Sequence, residues 1–183
     1  MFTDGRSKRI VLVAHCVLNQ NAISDGTAVY PGAIHDILEL FISSQIGIIQ
    51  MPCPELLCLG LDRGNAQGNS FPVVEENTRI RTCMSNDIMR LKIDQLVKNI
   101  LCQILEYKKH KFQVVGIIGI NRSPSCGVDT TSDQNKEIEG KGLFIELLTK
   151  TLEEHQLSIK TIGIRPSDRE NTIHHVKKLL ASD

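Results

Sequence analysis

The sequence predicts a three-layer, Rossmann-like α/β domain, with a mostly parallel sheet and helices on both of its faces. Short apolar runs have the length and composition of buried strands, and segments with helical periodicity separate them. Strands that alternate with helices pair in parallel, because each helix carries the chain back across the sheet. A chain of 183 residues without a repeat or a linker is expected to form one domain, residues 1–183.

Four apolar runs are predicted to be the strands of the sheet. Each is short and rich in Val or Ile, and the helical segments between the runs place them side by side in parallel. The strands are predicted at residues 9–15, 46–51, 112–120 and 159–164.

Helices are predicted where apolar residues recur three and four positions apart. The first begins near Pro31, a residue suited to a first helical turn. Residues 59–82 and 123–140 contain several glycines and are expected to be long loops, so that Ser85 becomes the N-cap of the longest helix. The last helix opens with a capping box formed by Ser167 and Glu170.

Charge and composition exclude several classes of partner. The formal net charge is +0, so no electrostatic attraction to nucleic acid or to an anionic membrane is expected. The apolar runs are too short to span a bilayer, and the first residues lack the apolar stretch of a signal peptide. We therefore expect a cytoplasmic protein, a monomer or a homodimer, whose partner is a small molecule.

The six cysteines are the most informative residues of the chain. In the cytoplasm they stay reduced, so each is a metal ligand, a nucleophile or a packed side chain. Cys102 lies on the apolar face of the longest predicted helix and is expected to fill the core. Leucines flank Cys58, which favours packing over a role as an alternative ligand to Cys53. Cys83 falls in a predicted loop with no partner nearby.

The other three cysteines each follow a strand-like run. Cys16 comes directly after the first run, Cys53 after the second and Cys126 shortly after the third. In parallel α/β sheets, ligands bind beyond the carboxyl ends of the strands, near the point where the strand order reverses. Three thiols delivered to that edge from three strands can converge on one point, which predicts a shared metal group.

The residues around these thiols indicate different local roles. Cys126 lies in Asn121-Arg-Ser-Pro-Ser-Cys-Gly127, where hydroxyls, a guanidinium and backbone N–H groups are expected to lower the pKa of its thiol. The alternative is an ordinary turn with an exposed thiol. Cys53 stands between two prolines, which suits a rigid ligand. His15 precedes Cys16, and its side chain is expected on the opposite side of the strand.

The ligand chemistry leaves two metal groups open, since soft thiolates select zinc or iron–sulfur clusters. A structural zinc site has four ligands, and the sequence shows no obvious fourth ligand beside these three thiols, so a zinc site needs another ligand or water. Three cysteines from three strands suit a 4Fe–4S cluster with one iron left open as a Lewis acid. The sequence has no C-x-x-C, phosphatase or nucleotide-phosphate motif.

Two motifs, taken together, resemble the thiouracil desulfidase family. They are Arg122-Ser-Pro-Ser-Cys-Gly127 and Cys53-Pro-Glu55, preceded by an N-terminal cysteine in the same order. The resemblance implies a Rossmann-like domain in which Cys16, Cys53 and Cys126 hold a 4Fe–4S cluster. It also implies help from an acidic residue and a serine, for which Glu55, as general base, and Ser123 are the matching candidates. The implied reaction removes sulfur from a thiolated small molecule without redox change and releases hydrogensulfide.

Other segments depart from that family. Cys16-Val-Leu-Asn-Gln-Asn21 and Leu59-Gly-Leu-Asp-Arg-Gly64 differ from the family's Cys-Leu-Leu-Gly and Gly-Gly-Leu-Pro stretches. Because such loops line the pocket, the chain is expected to be a related branch with a substrate of its own. The alternatives are a cluster-binding sensor without catalysis and a zinc-dependent hydrolase that uses the same three cysteines.

Overall fold

A computed structural model of the chain describes residues 2–181; residues 1, 182 and 183, which the predicted domain 1–183 includes, lie outside the described part. Strands and helices alternate along most of the chain. In order, the elements are β1 (Arg9–Val13), α1 (His15–Leu18), α2 (His35–Ser43), β2 (Gly47–Gln50), α3 (Pro54–Leu59), α4 (Val73–Met84), α5 (Asp87–Lys109), β3 (Gln113–Ile120), β4 (Thr130–Asp133), β5 (Lys136–Glu139), α6 (Leu143–Glu154), β6 (Thr161–Ile164) and α7 (Arg169–Leu180).

The main sheet has four strands in the order β2-β1-β3-β6, and every neighbouring pair is parallel. The two central strands supply most of its core, and residues 11–13 of β1 and 117–118 of β3 are fully buried. The strand order reverses between β1 and β3, so a crevice is expected beyond the carboxyl ends of these two strands. The predicted α/β fold with a parallel sheet is therefore confirmed.

Two helical layers cover the sheet. Helix α2 packs beside α7, while α5 packs beside α6, and both α7 and α5 contact β3. Gly116 of β3 allows the close approach of α7, because a Cβ atom there would lie 2.7 Å from the Leu179 side chain and 2.9 Å from the Lys160 carbonyl oxygen. In the described part of the chain, no helix is long and apolar enough to cross a membrane.

The structure corrects the prediction of a long loop at residues 59–82. Helix α4 begins at Val73 and includes Cys83, and Ser85 caps the end of this helix instead of starting the next one. Asn86 is the N-cap of α5, and its side chain accepts a hydrogen bond from the Met89 backbone N–H. The apolar period of α4 is short and interrupted by the buried Asn77, which explains why the sequence pattern missed it.

Smaller differences concern loops and helix ends. Residues 123–140 contain a two-stranded antiparallel hairpin, whose turn residues Gln134 and Asn135 both have positive φ, as in a type I′ turn. Helix α2 begins at His35 and not near Pro31, and Asp168 caps α7 in place of Ser167. Cys102 is exposed, so its predicted place in the core is wrong. Cys58 is half-buried and packs against the core as expected.

Candidate functional site

A cavity of about 260 Å³ lies beyond the carboxyl ends of the parallel strands, and its volume is slightly below the usual range of ligand pockets, about 300–1,000 Å³. All five side chains singled out from the sequence line it: Cys16, Cys53, Glu55, Ser123 and Cys126. The fold brings them together because the chain leaves β1, β2 and β3 at the same edge of the sheet. This is the edge where the strand order predicts a ligand.

A different local structure positions each of the three thiols. Cys16 lies in α1, a single helical turn that begins directly after β1. Cys53 is the N-cap of α3, with Pro54 in the first turn, and its Sγ accepts a hydrogen bond from the Leu56 backbone N–H at 3.4 Å. Cys126 is buried in the turn that follows β3. All three sulfurs therefore sit on rigid backbone next to the cavity.

Burial and mutual repulsion keep these thiols protonated. Burial, with smaller contributions from charges at Cys53 and Glu55, raises the pKa of Cys16 to about 12. Burial and the charge of Glu55 raise the pKa of Cys53 to about 11. The pKa of Cys126 also lies well above its usual value, because burial and the two other thiols outweigh the hydrogen bond from Ser125. The expectation of a lowered pKa at Cys126 is therefore wrong.

The donor set fits a large cationic group better than one metal ion. The charge of Cys53 raises the pKa of Cys16, and the charges of Cys53 and Cys16 raise the pKa of Cys126, so the three sulfurs lie within electrostatic reach of one another. Yet among residues 2–181 no three His, Cys, Asp or Glu side chains are grouped closely enough to hold one metal ion. Three separated thiols around a common cavity match the ligands of an iron–sulfur cluster, in which each thiolate binds its own iron.

Glu55 is buried, with 6% of its surface exposed, and its carboxylate accepts four hydrogen bonds. Ser125 Oγ donates to Oε1 at 2.6 Å and Ser123 Oγ donates to the same oxygen at 3.2 Å. Arg63 Nε donates to Oε2 at 3.1 Å and Ser24 Oγ at 3.3 Å. The acid that the sequence singled out is thus held by four polar side chains, three of which the sequence analysis did not select.

Arg63 is the most important residue that sequence reasoning missed. It is 2% exposed, and its guanidinium bonds to backbone oxygens in addition to Glu55. These oxygens belong to Gly60, Leu61 and Ala22, at 3.0, 2.9 and 2.6 Å. The Nη2 atom also lies 3.9 Å from Cys53 Sγ. The only signal in the sequence was an arginine inside Leu59-Gly-Leu-Asp-Arg-Gly64, a segment noted for its departure from the desulfidase pattern.

Ser123 and helix α6 both hold the turn that carries Cys126. Ser123 Oγ accepts hydrogen bonds from the backbone N–H groups of Ser125 at 3.3 Å and Cys126 at 3.0 Å. Gly142, the N-cap of α6, lies so close that a Cβ atom there would come within 2.4 Å of the Ser125 carbonyl carbon. The predicted catalytic serine therefore also shapes the loop that carries the thiol.

Helix α4 supports the same turn from the other side. Asn77 Nδ2 donates to the Arg122 carbonyl oxygen at 3.3 Å, and Arg81 Nη1 donates to the Pro124 carbonyl oxygen at 3.3 Å. Arg122 has a φ of 73°, and in the described part of the chain its buried Nε has no hydrogen-bond partner. The helix that the sequence analysis missed is thus part of the framework of the site.

His15 lines the same cavity as Cys16, contrary to the expectation that it points away. The reason is that the chain turns into a helix at His15, so the alternation of side chains along a strand no longer applies. Burial, and then the charge of Arg63, lowers the pKa of His15, which favours the neutral ring at pH 7.

Comparisons with known proteins gave few matches, each over most of the chain. No family model matches. An uncharacterized protein of Methanocaldococcus jannaschii is 28% identical over 165 residues, which are 90% of this chain and 91% of that protein. Among solved structures, the 4Fe–4S-dependent thiouracil desulfidase TudS matches 93% of this chain and 99% of that chain, with a TM-score of 0.49 and 15% identity. TudS is a member of the family that the two cysteine motifs resemble.

Proposed function

We propose that the protein is an iron–sulfur-dependent desulfidase, in which Cys16, Cys53 and Cys126 hold a 4Fe–4S cluster. The substrate is a thiolated small molecule, and sulfur is replaced by oxygen from water with release of hydrogensulfide. One observation carries the proposal: three thiols and a buried carboxylate with two serine hydroxyls line a single small cavity. The motif resemblance found in the sequence agrees with it.

The three thiols are expected to give up their protons when the cluster binds. Their raised pKa values mean that, without a cation, they are held as neutral thiols at neutral pH. Binding therefore releases protons, and its affinity increases with pH. When bound, the cluster supplies an open iron, a Lewis acid with affinity for the sulfur of a thiocarbonyl group.

Glu55 acts as the general base toward water in this proposal. Its Oε1 faces the hydroxyls of Ser123 and Ser125, at the wall of the cavity that also holds the thiols. Ser123 positions the water, and Glu55 takes the proton as oxygen attacks the carbon. The carbon exchanges a C–S bond for a C–O bond, one water is consumed, and no electron is transferred.

Metal analysis of anaerobically purified protein tests the proposal first. Brown protein with about four irons and four sulfides per chain, as a thiolate-held 4Fe–4S cluster requires, is the expected result. Sulfide release from thiolated pyrimidines is then measured, with the Cys126→Ser variant as the inactive control. Zinc in place of iron would favour the hydrolase alternative, and iron-free protein after anaerobic reconstitution would overturn the proposal. A loaded cluster without sulfide release from any thiolated substrate would favour a sensor.

A further inference from the structure

The buried guanidinium of Arg63 lies outside both cysteine motifs, and the reaction proposed above gives it no role. Each of its nitrogens donates to at least one acceptor: Nε to Glu55, Nη1 to two backbone oxygens, and Nη2 to the Ala22 oxygen while pointing toward Cys53 Sγ. A guanidinium has five N–H donors in a fixed plane. With five acceptors around it, the group has one orientation, because any rotation would break several hydrogen bonds at once.

The backbone of Arg63 is fixed as well. Arg79 of helix α4 donates to the Arg63 carbonyl oxygen at 2.7 Å, and Arg79 is itself bound to Glu76 at 2.6 Å. Arg63 has a φ of 55°, a left-handed conformation that a residue other than glycine keeps only where its surroundings hold it. The guanidinium is therefore attached at both ends to rigid structure.

The two oxygens of the Glu55 carboxylate differ as a consequence. Oε2 is bound by Arg63 Nε and by Ser24, which belongs to the loop before α2. Oε1 is bound by Ser123 and Ser125, the hydroxyls beside the Cys126 thiol. Oε2 is thus held by groups outside the turn that carries Cys126, and Oε1 is held by the two hydroxyls of that turn, which line the cavity with the thiol.

We propose that Arg63 is the positioning residue of this site. By holding Oε2 through Nε, it fixes the plane of the carboxylate and directs Oε1 toward Ser123 and Ser125. The inference rests on the proposed function, because it assigns Arg63 a role in a reaction in which Glu55 is the base. A reacting group displaced by about 1 Å can lower the rate by about 100-fold, so this is the loss of kcat expected without the contact.

Two substitutions with side chains of equal length distinguish a positioning role of Arg63 from a general effect of the substitution on folding. In R63Q, the amide nitrogen lies the same number of bonds from Cα as the Arg Nε, so it can still donate to Oε2. In R63M, a methyl group takes that place, and both variants lose the hydrogen bonds to the backbone oxygens. We expect R63M to lower kcat about 100-fold with little change in KM, and R63Q to recover at least about 10-fold of that loss.

The same pair of variants in the E55Q background is the decisive control. If Arg63 acts through Glu55, the kcat values of E55Q/R63Q and E55Q/R63M are equal, because the group being positioned is gone. Equal kcat values for R63Q and R63M in the otherwise natural chain would overturn the proposal, and so would a difference that persists in the E55Q background. If R63M does not fold, R63Q alone must keep at least about a tenth of the natural kcat, and a lower value overturns the proposal.

A readout without activity tests the contact itself. Urea unfolding of the four variants in metal-free form is expected to separate R63Q from R63M more strongly with Glu55 present than in the E55Q background, because a carboxylate accepts a stronger hydrogen bond than an amide oxygen. A separation of the same size in both backgrounds would overturn the contact, whatever the activity of the variants. An iron-loaded natural chain that releases no sulfide would instead overturn the proposed function and the positioning role with it. Sulfide release that is equally low in R63Q and R63M would overturn only the positioning role of Arg63 and would leave the proposed function standing.

Discussion

Replacing Glu55 by Gln is the most informative single change, because it removes one charge from a buried pair and leaves the side-chain shape unchanged. The Glu55 and Arg63 side chains are 8% and 3% exposed and lie 3.1 Å apart. After the substitution, the amide oxygen can still accept from Arg63 Nε, and the Ser125 hydroxyl can turn to accept from the amide nitrogen. Ser123 Oγ already accepts from two backbone N–H groups, so the variant loses the hydrogen bond from Ser123 as well as the negative charge opposite a buried guanidinium.

The size of the effect follows from this burial. Removing one partner of a buried ion pair typically destabilises a protein by about 3–5 kcal/mol. Arg63 keeps its three bonds to backbone oxygens, so we expect the lower end, about 3 kcal/mol. The matched control is Asp94→Asn, which removes one charge from the pair with Lys98, whose side chains are 41% and 60% exposed. Such an exposed pair contributes less than about 1 kcal/mol.

Urea unfolding at pH 7 measures both variants, and iron content and kcat are measured on the same preparations. We expect Glu55→Gln to load the cluster, because it contributes no thiol, and to lose at least about 100-fold in kcat, as for a missing general base. The reasoning would be refuted if Glu55→Gln destabilised the chain no more than Asp94→Asn. Loss of iron together with activity would show that Glu55 supports the cluster and would count against a purely catalytic role.

Three further predictions concern the thiols and their turn. Changing Cys16, Cys53 or Cys126 to Ser should each abolish iron binding and sulfide release together, measured by iron analysis and a sulfide assay. The metal-free chain should lose stability as the pH rises above about 9, by up to about 1.4 kcal/mol per pH unit for each thiol, in urea titrations. The sign follows because burial raises the pKa of Cys16 to about 12 and that of Cys53 to about 11, so the unfolded thiols ionise first. Gly142→Ala should destabilise the chain by about 2 kcal/mol, since its Cβ would lie 2.8 Å from the Cys126 backbone nitrogen.

Each of these predictions has a control in the same chain. Cys102 is exposed, so Cys102→Ser should leave iron content and alkaline stability unchanged. Cys16→Ser should reduce the loss of unfolding free energy per pH unit above about pH 9. An unchanged loss would show that the Cys16 thiol does not titrate as expected. A Cβ on Gly32 would meet nothing within 4 Å, so Gly32→Ala should shift the unfolding free energy by less than about 0.5 kcal/mol. A similar loss for both glycine variants would contradict the packing argument at Gly142.

The sequence determined much of the fold, because strand runs such as residues 113–120 carry their own signal. This run is short, rich in Val and Ile and interrupted by two glycines, and these features together favour a buried strand over a helix. The parallel sheet then follows from the alternation of strands and helices. Parallel strands end at the same edge of their sheet, so the residues that follow the first three predicted strands were expected to meet at that edge. Cys16, Cys53 and Cys126 could therefore be grouped from the sequence.

Only the tertiary structure showed what surrounds those thiols, because the contacts join residues far apart in sequence. Arg63 reaches Glu55 and Ala22 from a loop with no periodic pattern, and nothing local marks it as buried. The pKa of Cys126 rises although its neighbours in sequence are polar, since burial depends on the packing of distant elements. Sequence order fixes which strand each thiol follows, whereas burial, charge and hydrogen bonding at the site arise only when the separate segments pack together.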